Sequence, residues 1–282
     1  MAEFILTGFG DEIDAALDVQ MDVMEKLDIH YIETRGIDGK NIADYAPAEA
    51  KAVFARMQAR GFGVSALGSP IGKISIRDPF LPHLDSFRNL LDVAHAMQTQ
   101  YIRIFSFFLP ECEPAETFRD EVLERLGRLV EAARGSGVQL LHENEKHIYG
   151  DVPERCLEIL KAFPGEILAT YDPSNFVQCG VKNREAFEML RPYVRYLHVK
   201  DSVYTGKAAV ADKGFDTVTD AHRPAGLGDG ELPWILGELK KMDYRGFASI
   251  EPHLSGGDFV PGTGADKFAA AANALKGLLA QI

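Results

Sequence analysis

One α/β domain closed into a (β/α)8 barrel over residues 1–282 is the fold class this chain predicts, and three features carry that expectation. Eight short aliphatic runs alternate with stretches whose apolar residues recur at helical spacing. The runs are near-continuously apolar, as strands buried on both faces of a parallel sheet are. No Pro-, Ser- or Gly-rich spacer, low-complexity run or short repeat divides the chain, and a barrel of ~250 residues is a single domain. Hydrophobic residues make up 46%, ample for one core.

Phe4-Ile5-Leu6-Thr7 is the first strand. Gly8-Phe9-Gly10-Asp11-Glu12 turns the chain, and Ala16, Leu17, Val19, Met24 and Leu27 mark the first helix. Ile29-His30-Tyr31-Ile32-Glu33 precedes a loop and a helix over 48–59; Gly63-Val64-Ser65-Ala66-Leu67 runs into Gly68-Ser69-Pro70 and a helix over 84–97. Tyr101-Ile102-Arg103-Ile104-Phe105-Ser106 is the fourth strand, with a long helix over 115–133. The fifth, Val138-Gln139-Leu140-Leu141-His142-Glu143-Asn144-Glu145, is bounded by Gly137 and ends in carboxylates, amide and imidazole. The sixth is Ile167-Leu168-Ala169-Thr170-Tyr171-Asp172 and the seventh Val194-Arg195-Tyr196-Leu197-His198-Val199. A polar passage over 202–230 is too long for a connector and suits a lid or an oligomer contact. A helix over 233–242, the eighth strand Phe247-Ala248-Ser249-Ile250-Glu251 and a helix over 265–279 complete the series.

An open, doubly wound sheet is the alternative, but its nucleotide signatures are absent: Gly8-Phe9-Gly10 leads into Asp11 and Glu12, which repel a pyrophosphate, and there is no Walker sequence. A net charge of −12 opposes nucleic acids and anionic membranes, which leaves small molecules as the expected partners. Cys112, Cys156 and Cys179 form no CxxC pair, and their odd number argues for reduced thiols. With neither a signal-like start nor an apolar stretch of ~18 residues, the cytoplasm is the expected compartment.

The strand ends carry the chemistry. Glu143 closes the fifth run, Asp172 the sixth, His198 the seventh and Glu251 the eighth. Each alone reads as a loop or pairing residue, but in a barrel these ends converge on one mouth. Three carboxylates packed together raise one another's pKa, whereas a divalent cation holds them ionised. A mostly oxygen donor set with one imidazole suits Mn2+, Mg2+ or Co2+ and admits Zn2+.

On His142-Glu143-Asn144-Glu145, Asp172-Pro173-Ser174-Asn175, His198-Val199-Lys200-Asp201, Gly226-Leu227-Gly228-Asp229-Gly230 and Ile250-Glu251-Pro252-His253, the whole chain resembles the xylose isomerase-like TIM-barrel superfamily of sugar phosphate isomerases and epimerases. The resemblance to its ketose 3-epimerases implies that Glu143 and Glu251 are both metal ligands and the acid/base pair. It also implies that Asp172 and His198 complete the coordination, with Mn2+ the metal expected first. Many of those epimerases have His three residues after the Asp, where this chain has Asn175. His142-Glu143-Asn144-Glu145-Lys146 also resembles the barrel subunit of C-glycoside deglycosidases, which implies a β-elimination alternative and a small β-rich partner subunit in place of a homo-oligomer. Endonuclease IV shares the architecture, but its cluster needs further histidines where this chain ends strands in Glu33-Thr34-Arg35 and Leu67-Gly68-Ser69.

The chemistry so implied is abstraction of a proton next to a sugar carbonyl to form an enediolate. Return of the proton to the opposite face epimerises, return to the neighbouring carbon isomerises, and loss of a β-substituent makes a lyase. Lys73, Arg103, Lys200 and Arg223 are candidates to bind substrate oxygens, and His142 is the histidine expected to add a further base. Phe9, Phe105, Phe107 and Phe108 are candidates to line the mouth, as sugars pack C–H faces on aromatic rings, although such residues also pack cores.

Overall fold

The computed structural model describes residues 2–111, 113–206, 222–254 and 260–282. Eight parallel strands form the barrel: β1 (Glu3–Gly8), β2 (Tyr31–Thr34), β3 (Gly63–Leu67), β4 (Tyr101–Ile104), β5 (Gln139–Glu143), β6 (Ile167–Tyr171), β7 (Val194–Val199) and β8 (Arg245–Ile250). Their order is β1-β8-β7-β6-β5-β4-β3-β2. β1 and β2, at the two ends of that order, lie against each other and leave the barrel nearly closed. Around it stand α1 (Leu17–Lys26), α2 (Pro47–Ala59), α3 (Phe80–Ala96), α4 (Arg119–Ala133), α5 (Pro153–Ala162), α6 (Pro173–Gln178), α7 (Asn183–Leu190), α8 (Leu232–Lys241) and α9 (Gly264–Leu279).

The longer helices turn an apolar stripe inward, as α4 does with Val122, Leu126, Leu129 and Ala133. The layer between sheet and helices is one continuous core. Inside the barrel, Ala66, Leu141 and Tyr196 pack with Tyr101, Leu168 and Phe247 as a separate apolar plug. That plug sets the depth of the site. Side chains alternate along a strand, so two residues beyond Tyr101, Leu141 and Tyr196 the same inward faces present Arg103, Glu143 and His198.

Several boundaries depart from the periodicity. β2 starts at Tyr31 instead of Ile29, because the Asp28 and Ile29 amides bond back to Glu25 and Met24 and close α1. α3 starts at Phe80, directly after Pro79, and a 3-10 turn over Ala115–Phe118 precedes α4. β4 stops at Ile104: the amides of Phe105 and Phe107 turn to the carbonyls of Ile71 and Gly72, at 2.7 and 2.9 Å. That approach requires Gly72, whose φ is +88° and where a Cβ would stand 2.0 Å from Phe105 O. α5, α6 and α7 had no assignment from periodicity; α5 and α6 begin on Pro153 and Pro173, a residue suited to the first helical turn.

Of the long passage after β7, Asp201–Ser202 pairs antiparallel with His222–Arg223. The lid or oligomer contact expected there falls partly on residues 207–221, which lie outside the described residues, as does Cys112; Cys156 and Cys179 are free and buried.

Candidate metal and proton-transfer site

Four consecutive strand ends deliver the site. Glu143 is the last residue of β5, and His198 stands one residue before the end of β7. Asp172 follows β6 as the N-cap of α6, its carboxylate accepting the Asn175 N–H at 2.9 Å. Glu251 follows β8 and anchors its own N–H on Val199 O. One donor atom from each of the four lies within 4.8 Å of the others, and all four side chains are buried.

His198 is the hub. Its Nδ1 is 3.3 Å from Glu143 Oε1, 3.4 Å from Glu251 Oε2 and 3.8 Å from Asp172 Oδ2. Yet it makes no hydrogen bond with any described residue. A buried, unbonded ring nitrogen encircled by three carboxylates fits a shared divalent cation: the oxygens supply charge and the imidazole a lone pair.

The two glutamates divide their oxygens in the same manner. Glu143 gives Oε1 to the cluster and Oε2 to Arg103 Nη1 at 3.1 Å, while Glu251 gives Oε2 to the cluster and Oε1 to Arg35 and His253, at 3.4 and 3.1 Å. Asn175 Nδ2 donates to Glu143 Oε1 at 3.1 Å, so an amide stands on the cluster's Glu143. Lys200 Nζ bridges Asp172 Oδ2 and Glu251 Oε2 at 2.8 and 3.0 Å.

Electrostatics follow from this pairing. In the metal-free cluster burial pushes the Glu143 carboxyl up, but the His198 imidazolium and Arg103 outweigh it and hold the group at about 2. Burial acts likewise on Glu251, where Lys200, His253 and His198 keep it well below the usual carboxylate range. Both glutamates are therefore ionised in the metal-free cluster and able to bind a cation.

The family model of the xylose isomerase-like TIM barrel matches residues 21–278. The chain belongs to that family. Its structure is similar to that of IolI protein with a bound zinc atom (TM-score 0.76, 14% identity, 99% of both chains). It is similar too to a D-tagatose 3-epimerase-like protein (TM-score 0.76, 17% identity, 99% of this chain and 98% of that one). A third is the apo form of 3-keto-D-glucoside 4-epimerase YcjR from E. coli (TM-score 0.68, 15% identity, 99% of this chain and all of that one). At these identities the likeness is one of fold. A search of curated proteins returned no match. Among the described residues of this xylose isomerase-like barrel, no helix is long and apolar enough to cross a membrane.

The remaining candidates are placed at different depths around the family's barrel mouth. Lys200 and Arg103 touch the cluster; Arg103 also donates to Gly68 O and Ser69 O, at 3.0 and 3.3 Å, and stands over the rings of Phe9 and Phe105. Lys73 is one step out, paired with Glu145 at 3.1 Å above the Phe105 ring. Arg223 lies on the short hairpin and donates to His222 O at 2.8 Å. His142 is not brought into the cluster: it occupies the opposite face of β5 from Glu143, where Nε2 meets Ser106 Oγ at 3.0 Å and the ring abuts Gly150. Burial lowers its pKa to about 4 and so keeps the ring neutral. Phe9 packs edge-on to His198, whereas Phe107 packs against Phe80 in the outer core.

Sequence reading missed Arg35 and gave Glu33 and Glu12 no role. Glu33 and Arg35 follow the same end-of-strand rule as the four clustered residues, and that rule was the signal available for them. Glu12 Oε1 holds His253 Nδ1 at 3.1 Å, completing a Glu12–His253–Glu251 chain that orients Glu251.

Proposed function

We propose that the protein is a divalent-metal-dependent sugar isomerase or epimerase, on one carrying observation: Glu143, Asp172, His198 and Glu251 converge within 4.8 Å around an imidazole nitrogen that has no hydrogen bond among the described residues. These four would hold the ion, Mn2+ being the first expected, and the bound ion would supply Lewis acidity toward a substrate carbonyl.

The chain's own residues do the rest. Glu143 and Glu251, each ionised and each with its outer oxygen pinned by an arginine, take and return the proton next to the carbonyl. Lys200 steadies the developing enediolate oxygen, and Arg103 keeps Glu143 ionised; Lys73 and Arg223 contact the more distant sugar oxygens. His142, on the opposite face of β5 with Ser106, lies outside the cluster and takes no part in this step. Membership of the xylose isomerase-like family, together with the fold likeness to a D-tagatose 3-epimerase-like protein, supports this reading.

The likeness to 3-keto-D-glucoside 4-epimerase adds 3-keto sugars to the candidate substrates, and on them the same machinery admits a lyase as the second reading. On a 3-keto sugar bearing a β-substituent, the same proton abstraction leads to elimination. A screen of keto- and 3-keto sugars in D2O separates the two. Deuterium uptake without a released substituent supports the epimerase or isomerase, release of an aglycone supports the lyase, and the absence of both on every sugar contradicts the reading.

A further inference from the structure

Behind the ligand cluster, Glu33 closes on the far nitrogen of His198. Both Glu33 oxygens lie 3.2 Å from Nε2, and Glu33 itself is 1% exposed. It sits at a register shift between Ile32 and Glu33 in the β2–β3 ladder, a local irregularity of the kind that re-aims a side chain.

An ionised carboxylate only accepts, so the ring hydrogen belongs on Nε2, and a neutral imidazole with its hydrogen there offers its lone pair from Nδ1. Nδ1 is the atom that faces Glu143, Asp172 and Glu251. The ring plane is fixed from two sides, by Phe9 at 5.3 Å and 82° and by Tyr196 at 5.8 Å and 80°. Rotating the ring would break the Glu33 contact and press against both aromatic edges.

We infer that Glu33 is a positioning residue of the metal centre: it holds His198 in the Nε2–H tautomer with Nδ1 aimed at the cation, and so sets metal affinity. The inference rests on the metal-dependent reading of the site. A carboxylate behind a ligating imidazole orients the ring and makes it a stronger donor, and losing such a partner costs about 10–100-fold in metal affinity.

The test titrates Zn2+ and Mn2+ into chelator-stripped wild type, Glu33→Gln and Glu33→Ala in competition with a chromophoric chelator. The His198 tautomer is read by 1H–15N NMR on the Zn2+-loaded proteins. The expected result is coordination through Nδ1 with a hydrogen on Nε2 in the wild type. Affinity falls by at least about tenfold in Glu33→Ala and less in Glu33→Gln, whose amide oxygen still accepts the hydrogen. Thermal melts check folding, and should Glu33→Ala not fold, Glu33→Gln decides by any loss beyond about twofold. Every folded variant binding within about twofold of the wild type, or His198 coordinating through Nε2, overturns the inference alone. A wild type that binds neither ion overturns the metal reading and this inference with it.

Discussion

Arg103 meets Glu143 at 3.1 Å inside the barrel, on the Oε2 that Glu143 turns away from His198. Both side chains are almost wholly buried, so the guanidinium compensates a carboxylate that water cannot reach. Removing one member of such a pair strands the other. Arg103→Met is expected to destabilise the metal-free protein by about 3–5 kcal/mol in urea melts, and added Mn2+ is expected to recover part of that loss. Unchanged stability would mean that Glu143 is neutral without Arg103.

Asp201 ties down the glycine loop beyond β7. Its carboxylate accepts the N–H groups of Gly226, Gly228 and Gly230 at 2.8 to 3.0 Å, and a Cβ at Gly228 would come to 2.3 Å from Asp201 Oδ1. Asp201→Ala leaves those donors without their anion and is expected to cost at least about 2 kcal/mol in thermal unfolding. Gly228→Ala is expected to destabilise in the same direction through overlap, with metal affinity preserved in both variants.

Lys200 contacts two of the four clustered residues, Asp172 and Glu251. Lys200→Met is expected to slow turnover about a hundredfold while the metal is retained, as measured by steady-state rates and metal content on one preparation. Loss of metal instead would make Lys200 part of the binding shell's scaffold.

His142 distinguishes a base from a structural partner. Placed on the far face of β5 with Ser106 and Gly150, it is expected on substitution by Gln to lose about 1–2 kcal/mol of stability and to keep its turnover rate within about threefold of the wild type. Turnover slowed about a hundredfold or more at unchanged stability would assign it proton transfer.

The barrel and its four central residues were legible because each of those residues ends an apolar run, and a barrel gathers such ends. Their partners were less so. Arg35 reaches Glu251 across 216 residues of sequence, a pairing that only closure of β1 against β8 and β2 creates. Glu33 ends a strand as plainly as Glu143 does, but its target nitrogen is visible only once the His198 ring is oriented. The alternation that turns His142 away from Glu143 was present in the sequence; a run buried on both faces hides it, since neither side of such a strand is polar. Boundaries at α1, β4 and α3 were set by amides turning to loop carbonyls or by proline, which hydrophobic spacing does not record.

The central claim is that a divalent cation bound by Glu143, Asp172, His198 and Glu251 enables proton transfer next to a sugar carbonyl. The direct measurement follows solvent deuterium entering a turned-over keto sugar, by mass spectrometry, with chelator-stripped protein before and after Mn2+ is restored. The predicted result is exchange that vanishes on stripping, returns with Mn2+, and fails to return in Glu143→Gln. Exchange that persists at full rate in metal-stripped protein would contradict it.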